Sequence, residues 1–154
     1  MKSYQARLTT PFAVLGIATD AGKLTAIDFL TLDTPILPPQ DPTSAETCAQ
    51  IERYLRDPHF CFELPLALTG TEFQRHIWCE LLAVPCGSTI SYSNLAQRTG
   101  SGARAVANAC GANPIPLVIP CHRVVAKHGL GGFMRGLEPE SLSIKQWLLA
   151  HERN

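Results

Sequence analysis

Residues 113–124 read Asn-Pro-Ile-Pro-Leu-Val-Ile-Pro-Cys-His-Arg-Val, and three prolines within this short run exclude a helix. Each proline also turns the residue before it away from helical backbone. The segment is therefore expected to be a stiff, extended connection that aims Cys121 at a fixed point. Two readings follow for Cys121: a placed, reactive thiol, or the buried structural cysteine that is the usual fate of free Cys.

A net charge of zero conceals a segregation along the chain. Residues 1–69 hold 5 Lys and Arg against 8 Asp and Glu, whereas residues 70–154 hold 8 against 5. No acid occurs between Glu80 and Glu138, while Arg98, Arg104, Arg123, Lys127 and Arg135 all fall inside that interval. Such a stretch suits a surface that approaches phosphates, although a balance of +3 does not by itself establish DNA binding. With 45% hydrophobic and 17% charged residues the chain is expected to be globular and ordered. No apolar run approaches membrane-spanning length, and the N-terminus MKSYQARLTT has no signal-peptide core, so the expected location is cytoplasmic, away from membranes. The six cysteines form no C-x-x-C pair, which predicts reduced thiols. His59 lies near Cys61 and His76 near Cys79, yet no four-ligand zinc spacing emerges and no metal is expected.

The chain reads as an α/β protein in two parts, 1–69 and 70–154. Residues 3–9, 12–18 and 23–30 are rich in Val, Ile, Leu, Thr and Phe, and Asp20-Ala21-Gly22 predicts a hairpin between the last two. A small antiparallel sheet results. After a Pro-rich loop, Ser44 is the expected N-cap of a helix that places Cys48, Ile51 and Leu55 on one face over the sheet. Thr71 is expected to cap the next helix, with Phe73, Ile77, Leu81 and Leu82 on its apolar side. In SYSNLAQRTGSGARAVANACGANP, Ser91 or Ser93 caps a short helix, Gly100 and Gly102 supply a turn, and Ala103–Cys110 forms a second helix of small side chains. That pattern predicts a helix-turn-helix. Its second helix offers chiefly Arg104 and Asn108, which favours backbone and shape recognition over base readout in the major groove.

Taken together, NPIPLVIPCHRVV, the upstream segment TISYSNLAQRTGSGARAVANACGANP and the downstream IKQWLLAHE resemble the O6-alkylguanine-DNA alkyltransferases over residues 71–152; residues 1–68 fit only loosely. The resemblance implies a ribonuclease H-like N-terminal part and a C-terminal helix-turn-helix part that enters the minor groove and flips the damaged nucleotide out. It implies single-turnover repair, in which Cys121 irreversibly takes an alkyl group from O6 of guanine, with no cofactor. The expected partner is double-stranded DNA carrying O6-alkylguanine, with O4-alkylthymine as a further lesion, and the expected state is a monomer.

The same resemblance assigns residues. His122 accepts the Cys121 proton directly or through a water, and Glu152 orients the imidazole. Tyr92, otherwise a half-buried packing residue, supports nucleotide rotation and donates to the purine. Asn113, otherwise a local loop residue, ties the helix pair to the cysteine strand. Arg104, otherwise a solvated helix charge, fills the space of the extruded base. Ala105, Asn108, Arg98 and Arg123 join it on DNA, and Val124, Phe133, Met134 and Arg135 line the substrate pocket. His151 is expected on the surface of the last helix.

Departures from the family pattern fall in that pocket. Phe133 stands where relatives commonly have Tyr, so it stacks on a purine but donates no hydrogen bond. The segment between Gly136 and Ile144 is longer than usual, with Glu138, Pro139 and Glu140 expected at an exposed tip, and Gly111 replaces a larger residue. Two other classes remain open: a lesion sensor that binds DNA without chemistry, against which Cys121 speaks, and an unrelated Cys-His hydrolase.

Overall fold

The computed structural model describes residues 3–134 and 139–153, and the chain divides into two compact units, Met1–Leu68 and Thr69–Asn154. It is a mixed α/β protein. In the first unit, strands β1 (Ala6–Thr9), β2 (Val14–Asp20) and β3 (Lys23–Leu30) form an antiparallel sheet in that order. The β2–β3 hairpin turns at Ala21 (φ 51°) and Gly22 (φ 78°), both left-handed, which is the geometry whose twist matches paired strands. Gly16 is required for a different reason: a Cβ there would lie 2.6 Å from the Tyr4 ring. That ring is anchored by its hydroxyl, which donates to Asp28 at 2.7 Å. Helix α1 (Pro42–Arg56) packs against all three strands.

Its start corrects the expected cap. Asp41, not Ser44, is the N-cap: the Asp41 carboxylate accepts from the Ser44 amide at 2.7 Å, and Ser44 Oγ closes the capping box from the third helical position. Pro42 begins the helix at a position where a missing N–H costs nothing, which shifts the start three residues upstream of Ala45. The buried face uses Cys48, Ile51 and Tyr54; Leu55 is only half-buried.

In the second unit α2 (Glu72–Leu82) is capped by Thr71, with Gln74 completing a reciprocal box. Ile77, Trp78 and Leu81 are buried, whereas Phe73 and Leu82 are 36% and 45% exposed. Ile77 and Leu81 thus lie on the expected apolar side, while Phe73 and Leu82 fall at its margin and Trp78 completes the buried face, its indole N–H donating to Ala109 O at 2.9 Å. Strand β4 (Ile90–Ser91) runs into α3 (Tyr92–Thr99), which Ser91 caps and Gly100 ends with φ 66°. Helix α4 (Ala103–Gly111) follows Gly102. Val106, Ala109 and Cys110 face inward, toward α2 and α3, while Arg104, Ala105, Ala107 and Asn108 are exposed on one face.

The proline segment is not extended throughout. Pro116 bridges Ile119 across a tight turn in which Leu117 adopts φ 76°, and Cys121–Arg123 form a single 3-10 turn. Strand β5 (Val124–Val125) then pairs in parallel with β4, Ile90 opposite Val124 and Ser91 opposite Val125. Helix α5 (Pro139–Glu152) closes the unit. Pro139 and Glu140 therefore belong to the first turn of a helix, not to a loop tip; Gly136 and Glu138 lie outside the described residues. No helix among the described residues is long and apolar enough to cross a membrane.

Candidate active site

The short β4–β5 pairing brings two distant segments together, setting Tyr92 at the start of α3 beside the turn that carries Cys121 and His122. Asn113, two residues past the end of α4, holds that turn. Buried at 3% exposure, it donates from Nδ2 to Ile119 O at 2.8 Å and accepts from the Ile115 amide at 3.0 Å. Ile119 O also accepts from the Cys121 amide at 2.8 Å, so Asn113 and Cys121 share one carbonyl. A proline-rich segment with few donors of its own needs such a side chain to fix it.

Behind Cys121 lies a buried ionic cluster. Glu152 Oε2 is 2.7 Å from His122 Nε2, and Glu152 also accepts from Arg123 Nε at 2.8 Å and Nη2 at 3.1 Å. Arg123 Nη1 donates to Val84 O at 2.7 Å. With Nε2–H given to a carboxylate, the neutral imidazole carries its lone pair on Nδ1, and this buried nitrogen has no hydrogen-bond partner among the described residues. Burial pushes the His122 pKa down, opposed by the Glu152 hydrogen bond and charge. Burial thus favours the neutral ring, in which the free nitrogen can accept a proton.

Burial also pushes the Cys121 thiol up to about 11, against the opposing pull of the Asn113 hydrogen bond and the Lys145 charge. Lys145 was missed from the sequence. Wholly buried on α5, it donates to Val124 O and Gly132 O, each at 2.7 Å, and its Nζ lies 5.9 Å from the centre of the Tyr92 ring. Desolvation lowers it to about 8, with the Cys121 and Cys110 thiols opposing. A buried cation held by carbonyls favours any anion that forms beside it, here a Cys121 thiolate. Tyr92 is raised to about 12, by burial first and then by the two thiols, and its hydroxyl is 3.5 Å from Gly132 O. Gly131, with φ 75°, passes so close that a Cβ would sit 3.0 Å from the Tyr92 ring.

The 72–154 segment matches the family model described as the DNA binding domain of 6-O-methylguanine DNA methyltransferase. A probable methylated-DNA--protein-cysteine methyltransferase of Acanthamoeba polyphaga mimivirus is 50% identical over 92 residues, 58% of each chain. The methylated-DNA--protein-cysteine methyltransferase of Methanosarcina mazei is 39% identical over 112 residues, 71% of this chain and 68% of that one. The crystal structure of Mycobacterium tuberculosis OGT in complex with DNA superposes with a TM-score of 0.80 at 31% identity, over 96% of this chain and 91% of that one. The chain belongs to the 6-O-methylguanine DNA methyltransferase family. The match spans little more than half the length of the viral relative.

Within this family member the expected site residues separate into groups. Cys121, His122, Asn113, Tyr92 and Glu152 converge as described; Val124 and Phe133 are buried, and Met134 Sδ lies 3.9 Å from Cys121 Sγ. Arg104, Ala105 and Asn108 share the exposed face of α4 instead. Arg98 is 54% exposed on α3, its Nη1 4.0 Å from Glu80. Arg123, expected on DNA, has a side chain 13% exposed that donates to Glu152 and to Val84 O, so in this structure it braces the His122–Glu152 pair. His151 is half-buried, its ring stacked 4.8 Å from that of Trp147. Arg135 lies outside the described residues.

Proposed function

We propose that this protein repairs DNA by moving an alkyl group from O6 of guanine onto Cys121 Sγ, once per chain. The observation that carries the reading is the uncommitted Nδ1 of His122, whose other nitrogen is held by Glu152 directly behind the cysteine. The thiol proton passes to Nδ1, directly or through one water. The Sγ–C bond forms as the C–O6 bond breaks, the electron pair left on the purine is stabilised by a hydrogen bond from the Tyr92 hydroxyl, and the proton taken up by His122 is returned through solvent to give neutral guanine and a neutral imidazole. Lys145 steadies the thiolate before transfer. The thioether product has neither an acidic proton nor a good leaving group, so the protein is consumed. No cofactor enters this sequence.

In the same reading α3 and α4 are a helix-turn-helix whose second helix enters the minor groove. Its small exposed residues permit close approach, Arg104 fills the stack after extrusion, and Ala105 and Asn108 lie along the sugar edges. Unit 1 is a reduced ribonuclease H-like fold, and the protein acts as a cytoplasmic monomer. Val124, Phe133 and Met134 form the wall against which the flipped base rests.

Intact-protein mass after incubation with duplex DNA containing O6-methylguanine tests the reading. One methyl per chain, localised to Cys121, is expected; several turnovers or an unmodified protein would refute it. Arg104→Ala separates extrusion from plain binding. It should slow repair at saturating duplex far more than transfer from free O6-benzylguanine, which needs no extrusion. Equal defects on both substrates would reject the stacking role. Restoration of the duplex rate by excess DNA would reduce Arg104 to a phosphate contact.

A further inference from the structure

Beside α3, and away from Cys121, the second unit carries an open groove of about 1010 Å³. One wall is the outer face of α3, with Ser93, Asn94, Gln97 and Arg98; the others are the loop before β4 and the residues that follow β5, ending at Lys127. Every one of those named side chains is exposed. The lining contains two cations, several hydroxyls and amides, and no carboxylate. Glu80 approaches Arg98 only at 4.0 Å, a loose surface pair that leaves the guanidinium free to turn. A groove with this chemistry complements an extended polyanion with many oxygen acceptors.

The helix pair says which polyanion. In helix pairs of this kind that read the major groove, the first helix crosses the sugar-phosphate backbone, and the same division of labour is carried here to a second helix in the minor groove. Here the first helix is α3, and its outer face is the wall of the cavity. We propose that this groove carries the sugar-phosphate backbone of the DNA strand flanking the extruded nucleotide, with Arg98 and Lys127 as its two phosphate contacts. The inference rests on the DNA-repair reading above. It extends the contact surface beyond α4, joining Arg98 to Lys127, a residue 29 positions later that sequence alone placed only in an acid-free interval. Hydroxyls of Ser88, Thr89 and Ser93 would bond the intervening phosphate oxygens.

Binding of Arg98→Gln/Lys127→Gln to a duplex that extends on both sides of one O6-methylguanine tests the proposal as a function of salt. Each lost phosphate contact flattens the plot of log affinity against log salt by about 0.9, so the double variant should lose roughly 2 from the slope. The charge-keeping variant Arg98→Lys/Lys127→Arg should retain it. Lys23→Gln/Arg56→Gln, which removes two exposed charges from the first unit, sets the background. The proposal falls if the groove variant changes the slope no more than that background, or if the charge-keeping variant loses as much as the neutral one. Wild-type methyl transfer, read separately by mass, keeps the two claims apart. A flattened slope without any transfer to Cys121 would overturn the alkyl-transfer reading while sustaining the groove as a DNA surface.

Discussion

Cys121→Ser should abolish alkyl transfer, with no mass gain over times in which the wild-type chain is fully methylated. The exchange replaces sulfur by oxygen at a fully buried position and leaves the Asn113 and Ile119 hydrogen bonds around it intact, so folding and duplex affinity should persist. What disappears is the nucleophile: a serine hydroxyl ionises far less readily than a thiol and is a weaker attacker of saturated carbon. The outcome also decides whether placement or exposure governs reactivity. Cys61 and Cys79 are exposed, whereas Cys121 is buried with its thiol pushed up to about 11. On exposure alone the surface thiols would be alkylated first. Methylation confined to Cys121 in the wild type, and absent from the serine variant, therefore requires a device that ionises a buried thiol on demand. Methyl groups appearing on Cys61 or Cys79 at the wild-type rate would sink the proposal.

The residues of that device differ in how legible they were. Cys121 and His122 stand in a proline-framed motif that marks the pair as a candidate site from sequence, although the path of the backbone that delivers them was not legible there. Glu152 lies 30 residues from His122, and only the family resemblance linked them. No local rule pairs residues across such a distance. Lys145 escaped altogether, since a lysine within a helix ordinarily reads as a solvated charge. Its burial depends on where α5 meets the carbonyls of Val124 and Gly132, a tertiary event with no signal at the position itself. Arg123 shows the opposite case. A cation in an acid-free stretch reads as a DNA contact, but the carboxylate that claims it comes from the far end of the chain.

Fold elements show the same division. The hairpin at Ala21-Gly22, the cap at Thr71 and the turn at Gly100 depend on side chains that bond their own neighbourhood or permit positive φ, and each appears where its residues predict. Errors arose where two local signals competed. Ser44 is a good cap, yet Asp41 followed by Pro42 is better, because proline favours the first helical position. The prolines of 114–120 argued for extended backbone, but the Pro116–Ile119 bridge folds the segment back through Leu117 in the left-handed region. Propensity restricts the prolines themselves and the residues before them; it says nothing of Leu117, whose turn is fixed by Asn113 binding Ile119 O.

Glu152→Gln should slow transfer by about 10² to 10⁴, the usual worth of general-base help. The sign of its pH dependence follows from the opposed influences on His122. Burial drives the imidazole pKa down and the Glu152 carboxylate drives it up. Removing the carboxylate charge leaves burial unopposed, so the imidazolium that must accompany the thiolate becomes costlier, and the apparent Cys121 pKa rises further. The rising limb of rate against pH should therefore move to higher pH. The deficit against wild type should be largest near neutrality and shrink as hydroxide takes over ionisation of the thiol. Duplex affinity should change little, since Glu152 is buried away from the exposed face of α4. Because the same carboxylate pairs with Arg123, breaking the cluster will cost stability, about 3 kcal/mol for a buried ion pair stripped of one partner. Adding Arg123→Gln removes the stranded guanidinium and gives a second variant in which the relay is tested without that burden. Single-turnover rates for either folded variant that follow the wild-type profile across pH would show that Glu152 only braces the helix end, and that the proton leaves Cys121 by another route.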